Sequence, residues 1–82
     1  MKFFERFGKI KSMSPSSTEA QNLIKQLQDY ITKNFYKCTD EILYGLGKMY
    51  IAGGEFTANI EKAGGDGTAD FIYQAIKIYC GK

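Results

Sequence analysis

The strongest structural signal in this chain lies in residues 35–50, which read FYKCTDEILYGLGKMY. Thr39 is a good helix N-cap, and Asp40 and Glu41 follow it where the helix dipole favours negative charge. The next apolar residues recur at steps of three and four, which predicts an α-helix that ends before Gly53-Gly54. Its expected buried face comprises Ile42, Leu43, Leu46, Met49 and Tyr50.

The same periodicity extends over the rest of the chain, which contains no valine and no tryptophan. A first short helix is expected to carry its apolar residues on one face, and a second to start near Pro15 and end near Asn34. Ser14 is one candidate cap for the second helix, and a Ser16–Glu19 capping box is the alternative. A fourth helix is expected to point Phe56 and Ile60 inward and to end at Gly64-Gly65. A fifth helix is expected to begin at Asp66 or Thr68 and to end at Gly81. Its expected core residues are Phe71, Ile72, Ala75, Ile76 and Tyr79. The prediction is a single all-α domain of about five helices over residues 1–82.

Composition excludes several classes of function. The chain has no histidine, so a Ser-His-Asp triad, a Cys-His pair and a histidine-containing zinc site are impossible. The net charge of +2 is weak for a nucleic-acid binder, and no apolar run is long enough to cross a membrane. Two distant cysteines, Cys38 and Cys80, make neither a disulfide scaffold nor a metal site. We expect a non-catalytic cytoplasmic protein without cofactor or metal.

One side of the third helix is a candidate binding surface. Cys38, Ile42, Gly45 and Met49 follow one another at helical steps and would share a strip that lines a ligand cleft. Each residue also has an ordinary explanation: the cysteine and methionine could be core residues, and glycine could allow a close helix crossing. Tyr36 lies in the loop before the helix, a common position for binding residues.

Cys38 has a second, chemical interpretation. A thiol at the start of a helix meets backbone N–H groups that stabilise the thiolate and lower its pKa. A reactive or ligand-contacting cysteine is therefore one prediction. A small, buried and inert side chain is the alternative.

Three segments together resemble a known family. They are GLGKMY at residues 45–50, FTANIEK at residues 56–62, and GTADF with AIKIY at residues 67–71 and 75–79. This combination is similar to the antibiotic-recognition domain of TipA-type regulators, the C-terminal effector domain of certain MerR-family transcription activators. The resemblance implies a globin-like fold and binding of hydrophobic multi-ring antibiotics such as thiopeptides. It also implies a homodimeric full-length protein that contacts DNA through a separate domain, whereas this domain by itself could be a monomer.

The resemblance has one informative departure. Members that capture thiopeptides covalently place a cysteine directly before the Leu-Gly pair, and Gly45 occupies that position here. The second family cysteine is retained as Cys38. The resemblance therefore does not imply covalent capture through that missing thiol, and it leaves non-covalent binding open. Because family domains extend further toward the N-terminus, this chain is expected to be the core of a longer protein or a short form translated alone.

Three functions are compatible with the sequence. The first is a ligand-sensing domain, and the second is a stand-alone protein that sequesters a drug. The third is an interaction module whose apolar groove holds a partner helix. In any of them, Phe3, Phe4 and Phe7 pack onto the domain, cover the cleft, or contact a second subunit.

Overall fold

The computed structural model describes residues 3–81 and contains five α-helices in that range. They are α1 (Phe3–Ile10), α2 (Thr18–Asn34), α3 (Asp40–Tyr50), α4 (Glu55–Gly64) and α5 (Thr68–Cys80). The predicted all-α architecture of about five helices is confirmed, and the described residues form no strand. None of the described helices is both long and apolar enough to cross a membrane.

One core holds the helices together. α5 lies against each of the other four helices, and α1 packs across α2, α4 and α5. Phe7 of α1 is fully buried and meets Phe71 of α5 edge to face at 6.5 Å between ring centroids. Phe3 and Phe4 are partly buried against the same core. Of the alternatives for the three phenylalanines of α1, the structure shows packing onto the domain.

Two glycines let α1 and α4 touch through their backbones. A Cβ built on Gly8 would lie 2.5 Å from the Cα of Gly64, and one on Gly64 would lie 2.7 Å from the carbonyl oxygen of Phe4. Real side chains cannot occupy such space, so only glycine allows this crossing. The sequence analysis did not identify Gly8 and Gly64 as the close contact.

The observed helix caps agree only in part with the caps predicted from the sequence. Thr39 caps α3 as predicted, accepting a hydrogen bond from the Ile42 N–H at 3.2 Å. α2 begins later than predicted, because Ser17 is its cap and accepts from the Ala20 N–H at 3.3 Å. Neither Ser14 nor a Ser16–Glu19 box caps it.

α5 starts at Thr68, the second of the two predicted positions, and its cap comes from another helix. The N-cap residue is Gly67, which has no side chain to offer. Glu61 of α4 supplies the carboxylate instead, accepting from the N–H groups of Gly67 at 2.9 Å and Ala69 at 3.0 Å. These hydrogen bonds, chiefly the one from Ala69, lower the pKa of Glu61 below its ordinary value.

The predicted buried faces of α3 and α4 need correction. Leu43 and Tyr50 are buried and Leu46 is partly buried, but Ile42 is 38% exposed and Met49 is 48% exposed. Phe56 of α4 was expected to face inward and is 54% exposed. α3 is covered mainly by α5 on one side, so its apolar stripe is wider than the surface that buries it.

Gly8 and Gly45 make a matched pair of substitutions. Gly8→Ala should lower the free energy of unfolding by about 1–3 kcal/mol, because the new methyl group overlaps the α4 backbone. Gly45→Ala should raise it by about 0.5–1 kcal/mol, since nothing lies within 4 Å of its Cβ position and alanine favours the helix. Urea unfolding of both variants measures these differences. A Gly8→Ala variant as stable as the wild type would show that α1 does not cross α4 at this point.

Glu61 should make stability depend on acid pH. Its pKa is lower in the folded chain than its ordinary value of 4.5, so its contribution is fully present above pH 4.5. That contribution is lost as the pH falls through the lowered folded-state value. Glu61→Ala should cost about 1 kcal/mol at neutral pH, as for loss of a helix cap. Urea unfolding at decreasing pH should show wild type and variant converging; a constant difference down to strong acid would contradict this role.

Candidate functional site

An open apolar groove lies where α2, the loop after it, α3 and α4 meet. Its volume is about 650 Å³. Leu27 and Ile31 of α2 are buried and form the floor of the groove. The exposed rings of Phe35 and Phe56 form its walls. The lining residues are Leu27, Ile31, Phe35, Tyr36, Leu46, Tyr50 and Phe56. We call this the aromatic groove.

The aromatic groove offers very little polarity to a ligand. None of its seven lining residues carries a charge, and their only polar side-chain groups are the hydroxyls of Tyr36 and Tyr50. Burial, with smaller effects of the nearby Cys38 and Tyr36, raises the pKa of Tyr50 to about 12. Tyr50 therefore stays protonated and neutral at physiological pH. The site is suited to an uncharged apolar molecule that can accept or donate a few hydrogen bonds.

Two other hollows have a different character. One of about 410 Å³ lies between α1 and α2, and its lining includes Arg6, Lys9 and Glu19. Another of about 430 Å³ lies between α1 and α4, with Glu5 and Lys9 at its rim. Charged side chains border both, and both are smaller than the aromatic groove.

The structure separates the predicted site residues into three environments. Tyr36 lines the aromatic groove and is 49% exposed. Cys38 is buried and does not line the groove. Ile42, Gly45 and Met49 are exposed on α3 and do not line the groove. The five residues thus do not form one continuous surface, and their role in binding stays a prediction.

Cys38 lies in an environment that disfavours its thiolate. Only 4% of its surface is exposed, and burial, with a smaller effect of the Asp40 carboxylate, raises the pKa of its thiol. Its N–H donates to Thr32 Oγ1 at 3.1 Å, and its carbonyl accepts from Gln28 Nε2 at 2.9 Å. The direction of this pKa shift is opposite to the one expected from the helix start, and the loss of water on burial is its main cause.

The two glycines of α3 have different roles. A Cβ on Gly47 would lie 3.2 Å from the side chains of Tyr73 and Ile76, so this glycine sits at the tight crossing of α3 and α5. Gly45 faces open space instead. Gly47 therefore allows a close helix crossing, and Gly45 leaves the helix backbone accessible.

Most residues of the groove were not predicted from the sequence as binding residues. Leu46 was expected on a buried helix face and Phe56 in the core, and Phe35 was given no role. A usable signal was present, because Phe35 and Phe56 are each adjacent to a segment that ends or interrupts a helix. Such positions leave large rings without a helix to cover them.

Labelling with iodoacetamide at neutral pH tests the environment of Cys38. In Cys80→Ser protein, the remaining thiol of Cys38 should react at least about tenfold more slowly in the folded chain than in urea, because it is buried and protonated. In Cys38→Ser protein, the partly exposed Cys80 should show a smaller difference between the folded and unfolded chains. Equal labelling rates of Cys38 in the folded and unfolded chains would contradict the structure.

No cluster of three or more potential metal-ligating His, Cys, Asp or Glu residues is present within residues 3–81. The arrangement of the groove instead favours shape and aromatic contact as the means of recognition.

Two comparisons with known proteins match most of this chain. Residues 1–79 match the model of the TipAS antibiotic-recognition domain. A curated relative, the HTH-type transcriptional activator mta of Bacillus subtilis (strain 168), is 35% identical over 77 residues. That match covers 94% of this chain but only 30% of the relative. No solved structure is significantly similar to the chain. The chain belongs to the family of TipAS antibiotic-recognition domains.

Proposed function

We propose that this chain is the ligand-sensing effector domain of a MerR-type transcriptional activator and that it has no catalytic activity. Its ligand is a hydrophobic multi-ring antibiotic of the thiopeptide kind, bound in the aromatic groove. The observation that carries the proposal is an open, uncharged groove of about 650 Å³ in a chain that belongs to an antibiotic-recognition family.

Apolar contact would supply most of the affinity. The groove volume falls within the range of about 300–1,000 Å³ that is usual for small-molecule sites. Phe35 is 71% exposed and Phe56 is 54% exposed, so a bound ligand would remove a large aromatic area from water. Removal of apolar area stabilises a complex by about 25 cal/mol per Å² before the costs of association are subtracted.

A large ligand would extend beyond the groove onto α3. Leu46 of the groove is one helical turn from both Ile42 and Met49, so their exposed strip adjoins it. Gly45 would let a flat ring approach the helix backbone closely. In this way the predicted residues Ile42, Gly45 and Met49 would form an outer contact surface. Binding would be non-covalent, because Gly45 has no thiol and Cys38 is buried.

In the longer regulator, ligand binding would bias a DNA-binding dimer in the cytoplasm. The support is the similarity to an HTH-type transcriptional activator of which this chain spans only 30%. A ligand shifts such an equilibrium only by its different affinity for the two states. DNA contact and dimerisation would therefore belong to other parts of the full-length protein.

Titration with thiopeptides and other hydrophobic cyclic antibiotics tests the proposed site. Phe35→Ala and Phe56→Ala should each weaken binding by about tenfold, because each removes an aromatic wall of the groove. Both side chains are largely exposed, so the variants should remain folded. Isothermal titration or the shift of the melting temperature gives the affinity.

Ile78→Ala is the matched control, because Ile78 is 47% exposed on α5 and does not line the groove. It should bind as the wild type does. Gly45→Trp tests the outer strip separately and should weaken only the larger ligands. Unchanged affinity in both phenylalanine variants would refute the site. Ligand-independent tight dimers of the wild type would favour the alternative of a groove that holds a partner helix.

A further inference from the structure

The walls of the aromatic groove are connected to α1 by two chains of touching rings. In the first, Phe3 of α1 meets Tyr30 of α2 edge to face, with ring centroids 5.6 Å apart and an interplanar angle of 64°. Tyr30 in turn meets Phe35 at 6.0 Å and 61°. Both separations fall in the favourable range for aromatic pairs. We call Phe3, Tyr30 and Phe35 the first ring chain.

The second ring chain reaches the opposite wall. Phe4 of α1 meets Tyr50 of α3 at 5.8 Å and 81°, and Tyr50 meets Phe56 of α4 at 6.1 Å and 46°. Each chain therefore has three rings, one end in the groove and one end on α1. The two ends on α1 are consecutive residues at the start of that helix.

The wall rings of both ring chains are largely exposed, and the middle rings are buried or partly buried. Phe35 and Phe56 are mostly exposed, whereas Tyr50 is 5% exposed and Tyr30 is partly buried. A ligand between Phe35 and Phe56 would fix the position of both rings at once. Because packed rings cannot interpenetrate, a wall ring that a ligand presses inward displaces the ring behind it.

We propose that occupancy of the aromatic groove is transmitted to the amino-terminal end of α1 through these two ring chains. This inference rests on the proposed function, since it names the route by which the same site would regulate an attached domain. The effect of binding would be felt at the amino end of α1, because a polypeptide joined there would move with Phe3 and Phe4. Binding and α1 position would then be coupled in both directions, as linkage requires.

The reciprocal effect gives a test in the intact chain. The probe is N-phenyl-1-naphthylamine, a neutral multi-ring molecule whose fluorescence rises in apolar sites. Phe4→Leu and Phe3→Leu should each weaken its binding by about two- to tenfold, the range expected for one aromatic pair, although neither residue lines the groove.

Phe7→Leu is the control for a general loss of stability in α1. Phe7 is on the same helix, is fully buried, and forms a ring pair with Phe71 that does not lead to the groove. It should lower stability more than Phe4→Leu and leave the probe affinity unchanged. Equal weakening in Phe7→Leu, or wild-type affinity in both Phe3→Leu and Phe4→Leu, would overturn the inference.

A second experiment needs no ligand. Phe35→Leu and Phe56→Leu should speed hydrogen exchange at the amides of residues 7–10 in α1 by about two- to tenfold and leave α5 less affected. Ile78→Ala should leave α1 unchanged. Exchange that increases equally in all helices, or in none, would overturn the inference. If the probe fails to bind the wild type, the proposed apolar site is refuted, and this exchange experiment alone decides whether the ring chains couple.

Discussion

The contact between the backbones of Gly8 and Gly64 determines how close α1 can lie to α4. A side chain at either glycine would push the two helices apart, since each built Cβ atom falls within 2.7 Å of the neighbouring backbone. This approach seats Phe7 in the core and brings Phe4 onto Tyr50. α1 thereby supports the inner wall of the aromatic groove without entering it.

The groove itself follows from the small size of the domain. With five short helices, α2 and α3 each carry more apolar surface than their neighbours can cover. The uncovered part is concentrated at one place, where Phe35 and Phe56 border a floor of aliphatic residues. A contiguous apolar patch of this kind is unusual on a soluble protein and typically marks a binding site. No charged side chain lines this place.

The helices could be predicted from sequence, but most of the groove was missed. Apolar periodicity, the Thr39 cap and the glycine stops give five helices with nearly correct bounds, because these signals are local. Burial of Ile42 and Met49 was predicted wrongly, since only the packing of α3 on α5 decides which part of a wide apolar stripe is covered. Gly45 and Gly47 look alike in sequence, and only the tertiary structure separates the open one from the crossing. The globin-like arrangement and the ligand stay predictions.

Contacts between a thiopeptide and the methyl groups of the isotope-labelled chain give the most direct measurement of where the ligand binds. Intermolecular nuclear Overhauser effects should appear at Leu27, Ile31 and Leu46, whose side chains line the aromatic groove. Larger ligands should add contacts at Ile42. Effects confined to Ile10 and Leu23, which line the charged hollow between α1 and α2, would contradict the account.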